Sequence, residues 1–404
     1  MTFNIALTGI NAASTDLEVI SNNVANSATT GFKQSRAEFA DIFSANGGAT
    51  ATGSGVRLSN VRQDFGQGDV NFTDSNLDLA VDGLGLLNVS DEGKSLYTRA
   101  GAFGLDREGY IVNAASQNLL GYGIDSSGAI QPVTAPLRID YADLAPKPSS
   151  EVRLVMNLDA KAEVPPAFDV VDADTYNFST STTIYDSLGT AQIATSYLRK
   201  DAPNLWSSYL FVDGVEVSQP GGDELAFDAS GNLVSVNGTP DGRITSATFT
   251  PQSGAEDMAV SYDLTTTSQF EGAFGVNSVT QDGFAAGRLD DFDIDTDGMI
   301  FARYSNGQAK LMGQVVLSNF PNAPGLKQVG NTAWEQTSAS GAPATGAPGS
   351  ASLGLIQAGA LENSNVDITK ELVKMIGAQR NFQASAQVIS TSDTITQTII
   401  NIRR

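Results

Sequence analysis

Strong helical periodicity occurs at the two ends of this chain and almost nowhere between them, and that placement limits the folds open to it. Phe3, Leu7, Ile10, Ser14, Leu17, Ser21 and Val24 step by four and three residues, and most of them are apolar, a seam with a period of about 3.5 residues. The pattern should stop near Asn26, because Ser27-Ala28-Thr29-Thr30-Gly31 is poor helix material ending in glycine. At the other end, Ile368, Leu372, Met375, Phe382, Ala386, Ile389 and Ile400 share one seam. Val373, Ile376, Val388, Ile395, Ile399 and Ile402 form a second stripe beside it. Ser364 with Asp367 three residues later reads as a capping box. Arg403 and Arg404 suit the negative pole of the helix dipole. From Val366 to Arg404 the helix would run about 58 Å at roughly 1.5 Å per residue. A helix apolar on two stripes must be covered on two sides. The N-terminal helix can cover one. The other needs a further part of this chain or another copy, and the scarcity of other helical segments favours another copy.

The middle of the chain reads as β-structure. Residues 70–140 alternate short apolar runs with Gly and Asp turns, as in Leu77-Asp78-Leu79-Ala80-Val81-Asp82-Gly83. A local pattern of Asp, two residues, Gly, one residue, then Ile or Leu recurs at Asp106/Gly109/Ile111, Asp125/Gly128/Ile130, Asp228/Gly231/Leu233 and Asp295/Gly298/Ile300. This is type I turn chemistry, with Gly free to take a positive φ and start the return strand. Asn237-Gly238 and Asn306-Gly307 are further hairpin signals. Asp293 to Gly298 matches the first half of an EF-hand loop. Tyr304, however, stands where the bidentate Glu is required, so the segment reads as a turn and no metal site is expected.

Composition then excludes several classes of function. The 404 residues include no Cys and no His, so disulfides, thiolate nucleophiles, imidazole bases and His-ligated metals are out of reach. No Gly-rich nucleotide motif is present, and no cofactor or catalytic residue is expected. Asp and Glu outnumber Lys and Arg 45 to 23, a net charge of -22, which argues against nucleic acid and anionic membrane surfaces. Residues 1–40 carry a net -1 and residues 362–404 a net +1, so the acidity lies between 41 and 361. Near-neutral ends that pack and an acidic middle that faces water are the expectation. No apolar run approaches the roughly 18 residues of a membrane span, so no membrane insertion is expected. The beginning is interrupted by Asn4, Asn11 and Asp16, and its first basic residue is Lys33, unlike a secretory signal. The chain is expected to stay in the cytoplasm or to leave it with its N-terminus uncleaved.

Boundaries follow from composition. Ser44 to Gly55 reads as a flexible stretch, Ser338 to Ser350 as a loop or second linker, and Ala145-Pro146-Lys147-Pro148-Ser149-Ser150 as a domain linker. The expected architecture is mostly β with terminal α-helices. Nested β domains lie between N- and C-terminal helices that pair in a coiled-coil-like core. Residues 1–30 with 366–404 form that helical core, 31–70 with 351–365 a connector, 71–145 with 272–350 an inner β domain, and 146–271 an inserted outer β domain.

The segment Ser21-Asn22-Asn23-Val24-Ala25-Asn26-Ser27-Ala28-Thr29-Thr30-Gly31-Phe32-Lys33 closely resembles the N-terminal signature of the bacterial flagellar rod and hook proteins. Leu361-Glu362-Asn363-Ser364-Asn365-Val366-Asp367, Gln379-Arg380-Asn381-Phe382-Gln383-Ala384 and Thr398-Ile399-Ile400-Asn401 are similar to the family's other end. Tyr97-Thr98-Arg99-Ala100-Gly101-Ala102-Phe103 is also familial. Rod members are shorter and lack a large insert, so the hook branch is the better match and the distal rod the alternative. The resemblance implies a structural, non-enzymatic subunit that polymerises with itself into a curved, flexible helical tube. Such a tube links rod to filament outside the cell and transmits torque as a universal joint. It implies uncleaved passage through the flagellar type III export apparatus. Implied partners are hook cap, distal rod and hook-filament junction proteins. The residues expected in the polymerisation core are Phe3, Leu7, Ile10, Leu17, Val24, Ile368, Leu372, Met375, Phe382, Ile389 and Ile400. The family motif rests on Asn22, Asn23, Ala25, Asn26, Thr30, Gly31, Phe32 and Lys33.

Overall fold

A computed structural model describes residues 2–42, 53–125 and 128–402. The side chains of residues 2, 399 and 400 lie outside it, as do Arg403 and Arg404 and most of the 44–55 stretch expected to be flexible. The chain is mostly strands, with one long helix at each end: α1, Thr2–Ala25, and α2, Ile368–Ile402. Contacts divide it into two units. The first comprises Met1–Tyr141, Asp291–Arg303 and Ala309–Arg404; the second comprises Ala142–Asp290 and Tyr304–Gln308.

In the first unit, α1 ends in a tight turn whose Gly31 takes a φ of 68°. A Cβ there would stand 2.3 Å from the Ala100 backbone nitrogen, so both conformation and space demand glycine. Next comes an antiparallel hairpin of β1, Ser35–Asp41, and β2, Val56–Gln63, with a bulge at Glu38/Phe39. β3, Val70–Phe72, and β4, Leu79–Asp82, find no ladder partner nearby in sequence. β3 pairs with Ala360–Glu362 and β4 with Leu355–Ala358. Further on, Leu317–Asn319 pairs with Leu86–Asp91, and Ala333–Glu335 with Lys94–Thr98. The chain before the second unit therefore interleaves with the chain after it around Leu87, Val89, Ile111, Leu119, Val315 and Trp334, all buried.

The second unit is centred on strand Glu151–Asp159. It runs parallel to Ser261–Asp263 and Ser268–Phe270 and antiparallel to Gly275–Gln281. A meander from Phe178 to Val236 covers it, and Trp206, Leu198, Met156, Leu225 and Tyr262 fill the space between. The composition boundary near 271 cuts through this unit, because the Gly275–Gln281 strand pairs with Glu151–Asp159 and belongs with it. The Pro-containing segment 145–150 is no free linker. Bridges join Leu144 to Gly287 and Lys147 to Phe284, making a two-stranded neck.

The recurrent Asp-x-x-Gly pattern is turn chemistry. Asp106, Asp228 and Asp295 each accept backbone N–H bonds from the residues two and four ahead, and Gly109, Gly231 and Gly298 take positive φ. A carboxylate so occupied offers little to calcium. Asp293 is turned to Arg303 at 2.7 Å.

At the neck, Asp282 accepts from the Ser150 and Glu151 amides, the Ser150 hydroxyl and Lys147. Burial raises its carboxyl, and these four bonds outweigh burial, holding it well below the ordinary 3.8. A depressed folded value means stabilisation present in full above the unfolded value, and lost as pH falls through the folded one. Asp282→Asn is expected to lower the melting stability of the second unit at pH 7 by about 2 kcal/mol. The difference should shrink as pH drops below 3.8; a gap that stays constant into acid would refute the account.

Candidate functional site

The family motif and the segment before α2 meet at a buried ion cluster. Glu362 is fully buried and accepts from Lys33 Nζ at 2.6 Å through one oxygen and from Arg99 at 2.8 Å through the other. The Gly68 amide donates to the first oxygen at 2.8 Å. The remaining donors are also matched: Lys33 to the Gly66 carbonyl, and Arg99 to those of Val81 and Gly83. Burial pushes the Lys33 ammonium down from its ordinary value, and Glu362 opposes that shift. One carboxylate thus ties the end of the helix-to-hairpin turn, the 66–68 loop, strand β4 and the approach to α2.

A second polar layer lies beside the first. Asn23, buried near the end of α1, donates to Glu371 Oε2 at 3.0 Å and to the Ser35 carbonyl, and accepts from the Ser35 amide. Gln34 and Lys374 donate to Glu371 Oε1. Asn365 accepts from the Gln34 amide and donates to the Asp64 and Gly66 carbonyls, and residues 365–366 lie outside the helix. For that reason α2 starts at Ile368, two residues later than the sequence pattern suggests. Its cap is Asp367, whose Oδ1 accepts from the Lys370 amide. Ser364 reaches only the Val366 amide, so the expected capping box is absent.

From this anchor α1 and α2 run side by side in opposite directions: Asn23 meets Glu371 at one end, and Gly9 faces Ser385 further along. They pair as expected, but through other residues. The contact side carries Ala6, Gly9, Ala13, Ile20 and Asn23 on α1, and Glu371, Ala378 and Ser385 on α2. Small side chains let the backbones approach closely. Phe3, Leu7, Ile368, Leu372 and Phe382 are exposed instead, and Ile10, Leu17, Val24, Met375 and Ile389 are half-buried. The side chain of Ile400 lies outside the described residues. The second stripe, with Val373, Ile376, Val388, Ile395 and Ile402, is exposed too. Ile5, Ala6, Gly9, Val56, Ala384 and Val388 line an apolar groove of about 490 Å³ along the helix pair.

The motif residues divide by role. Asn23, Gly31, Phe32 and Lys33 are buried in the anchor. Asn26 donates back to the Asn22 carbonyl and finishes the helix. Asn22 and Ala25 are exposed, and Thr30 is half-buried in the turn. Arg99 and Glu362 stood inside familial segments without being singled out, and Glu371 was not singled out either. A pairing signal existed in Lys33, an unaccompanied cation beside the apolar Phe32, but nothing local named its partner.

Comparison with known proteins gives consistent matches. Residues 3–33 match the model described as "Flagella basal body rod protein", and 80–143 that of the "Flagellar hook protein FlgE/F/G D1 domain". Residues 157–284 match "Flagellar basal body protein FlaE D2 domain", and 357–402 "Flagellar basal body rod FlgEFG protein C-terminal". The chain is 37% identical to "Flagellar hook protein FlgE" of Escherichia coli, over 100% of both chains. The identity is the same with the protein so described in Salmonella typhimurium, again over 100% of both. The crystal structure of a Helicobacter pylori flagellar hook protein, FlgE2, resembles it in fold with a TM-score of 0.55 at 14% identity, covering 71% of this chain and 99% of that one.

Removing one partner of a buried ion cluster leaves its other charges uncompensated. Glu362→Gln keeps the shape, and is expected to destabilise the first unit by about 3–5 kcal/mol. A denaturant melt unchanged within about 1 kcal/mol, the scale of a surface pair, would show that the cluster is not the anchor. At Gly9, a Cβ would lie 2.9 Å from Ser385 Oγ, which can rotate away. Gly9→Ala should therefore be tolerated, whereas Gly9→Leu should part the helices. Hydrogen exchange along α1 is expected to quicken only in the Leu variant.

Proposed function

The chain belongs to the flagellar hook protein family and is a structural subunit of the bacterial flagellar hook, and we propose that its open apolar helix faces are what joins subunits into the tube. The observation that carries this reading is the mismatch on the helix pair. Contact within the subunit consumes a seam of small residues. Phe3, Leu7, Ile368, Leu372, Val373, Ile376 and Phe382 remain in solvent. An apolar surface of that extent on a water-exposed helix pair marks an association site. A self-assembling hook subunit has an occupant of matching chemistry in every neighbouring copy.

In this reading residues 1–30 and 366–404 form the polymer core, with Ile10, Leu17, Val24, Met375, Ile389 and Ile400 filling in between neighbours. Segments 31–70 and 351–365 connect it to the β layers, and the insert starting near 146 forms the outermost one. A tube that turns while bent must exchange its outer contacts. Acidic, polar surfaces suit that, because wet polar interfaces can change partners at small cost. Joined to rod and filament, the tube would act as a curved universal joint outside the cell, supplied by uncleaved export. Its neighbours there would be the cap, distal rod and hook-filament junction proteins. The full-length match to hook proteins and the large insert disfavour a rod subunit.

Leu372→Asp places a charge on the open face without touching the anchor. The variant is expected to fold with a wild-type melt and to form no tubes by electron microscopy. Tubes of normal length and curvature from that variant would remove the helix faces from the assembly mechanism.

A further inference from the structure

A pocket of about 470 Å³ lies beside the anchor, lined among others by Arg36, Arg62, Gln63 and Lys374. It is donor-rich in a chain that carries nearly twice as many acids as bases. Arg36 and Arg62 sit directly opposite each other in the β1–β2 register. Like charges so placed on an antiparallel pair are destabilising. Arg36 finds Glu38 at 2.8 Å and Lys374 finds Glu371 at 2.6 Å, while Arg62 has no ion pair among the described residues. Asp64, also on the lining, is turned to the Gly66 amide.

The next residue, Gln63, is tied inward. Gln63 accepts the Trp334 indole N–H through its oxygen at 2.6 Å, which fixes the amide. Its Nε2 is then buried with no acceptor. A buried donor without a partner costs about 1–3 kcal/mol; Arg62 beside it is exposed, so its guanidinium stays open to an incoming group. Cross-strand repulsion between Arg36 and Arg62 and a guanidinium with no ion pair call for one missing group, an anionic acceptor.

We propose that this pocket is a contact between copies of the chain, in which Arg62 receives an Asp or Glu side chain of a second copy. The guanidinium fork matches a carboxylate bidentately. The occupant is a second copy because the subunit assembles with itself and its excess of carboxylates makes them the commonest charged group a neighbour presents. The inference rests on the self-assembly reading and adds to it a polar, salt-sensitive lock distinct from the apolar helix faces.

The test compares full-length wild type with R62Q and R62K. R62Q removes the like-charge repulsion, so its monomer melt should stay level or rise. Its minimal assembling concentration should rise about tenfold, the loss of one good charge-assisted contact. Wild-type assembly should weaken from about 0.05 to about 0.3 M NaCl as screening shortens the Debye length, and R62Q should lose most of that dependence. Tubes of R62K grown from mixed ¹⁴N and ¹⁵N copies and treated with a carbodiimide should give a mixed-isotope peptide joining position 62 to a carboxylate of another copy. Unchanged assembly and salt dependence in R62Q, or cross-links confined to single copies, overturn the proposal. Binding of inorganic phosphate that R62Q abolishes while assembly stays wild type would assign the pocket to a free anion and overturn it too. A wild-type chain that never forms tubes overturns the self-assembly reading as well, so the two failures are distinguishable.

Discussion

The first unit depends on one carboxylate. Glu362 has no water to fall back on, and its two oxygens are divided among Lys33, Arg99 and the Gly68 amide. A buried ion cluster is weak evidence for net stability, since desolvation offsets most of its attraction. What it supplies here is position. Three strand or loop segments and both helix approaches are tied to a single group. An apolar substitute would fill the same volume without stating which segments must meet. The neighbouring layer of Asn23, Gln34, Asn365 and Glu371 extends that specification to the first turn of α2.

The anchor also explains why the helix pair can be thin. With Asn23 held against Glu371, α1 and α2 leave the anchor already aligned. Beyond Ile20 they continue side by side on a seam of Ala, Gly and Ser. Large apolar residues are then free for other contacts. A helix pair that stabilised itself through Phe3, Leu7, Leu372 and Phe382 would have nothing left for a neighbour. The division between small residues inside the subunit and large ones outside is what a polymer-forming chain requires.

Much of this was legible in the residues. The helical ends, the β-rich middle and the Asp-x-x-Gly turns follow from local periodicity and turn chemistry, and the described structure has them. The faces of the helices did not follow. Periodicity marks the most apolar stripe as the one to bury, yet Leu7 and Leu372 are exposed while Ala6 and Ala378 are covered. On the proposed reading the apolar pattern belongs to the assembled state, while within the chain Ala6 and Ala378 are the covered positions. The start of α2 was misplaced because Asn365 is committed to partners near residue 34, which no local pattern shows. Arg99 and Glu362 were invisible as a pair for the same reason. Their chemistry is plain only once strands β3 and β4 have received their distant partners.

Those distant partners imply an order of events. Lys33 and Glu362 are separated by 329 positions. β3, β4 and α1 all wait on residues beyond 354 for their ladder or helix partners. Joining ends so far apart carries a loop-closure cost that long-range contacts must overcome before they contribute. The second unit has a shorter wait: its central strand Glu151–Asp159 finds its ladder partners between residues 261 and 281. Its strands from Glu151 to Gln281 pair among themselves and enclose a continuous apolar core. Its completion shortens the loop that the first unit has to close, because it draws residues 144 and 287 together at the neck. On loop-closure grounds the second unit is expected to form first, and Glu362 completes the first unit only when the segment around 362 is in place. Until then Lys33 and Arg99 lack the Glu362 carboxylate that they share, and α1 lacks the helix it lies against.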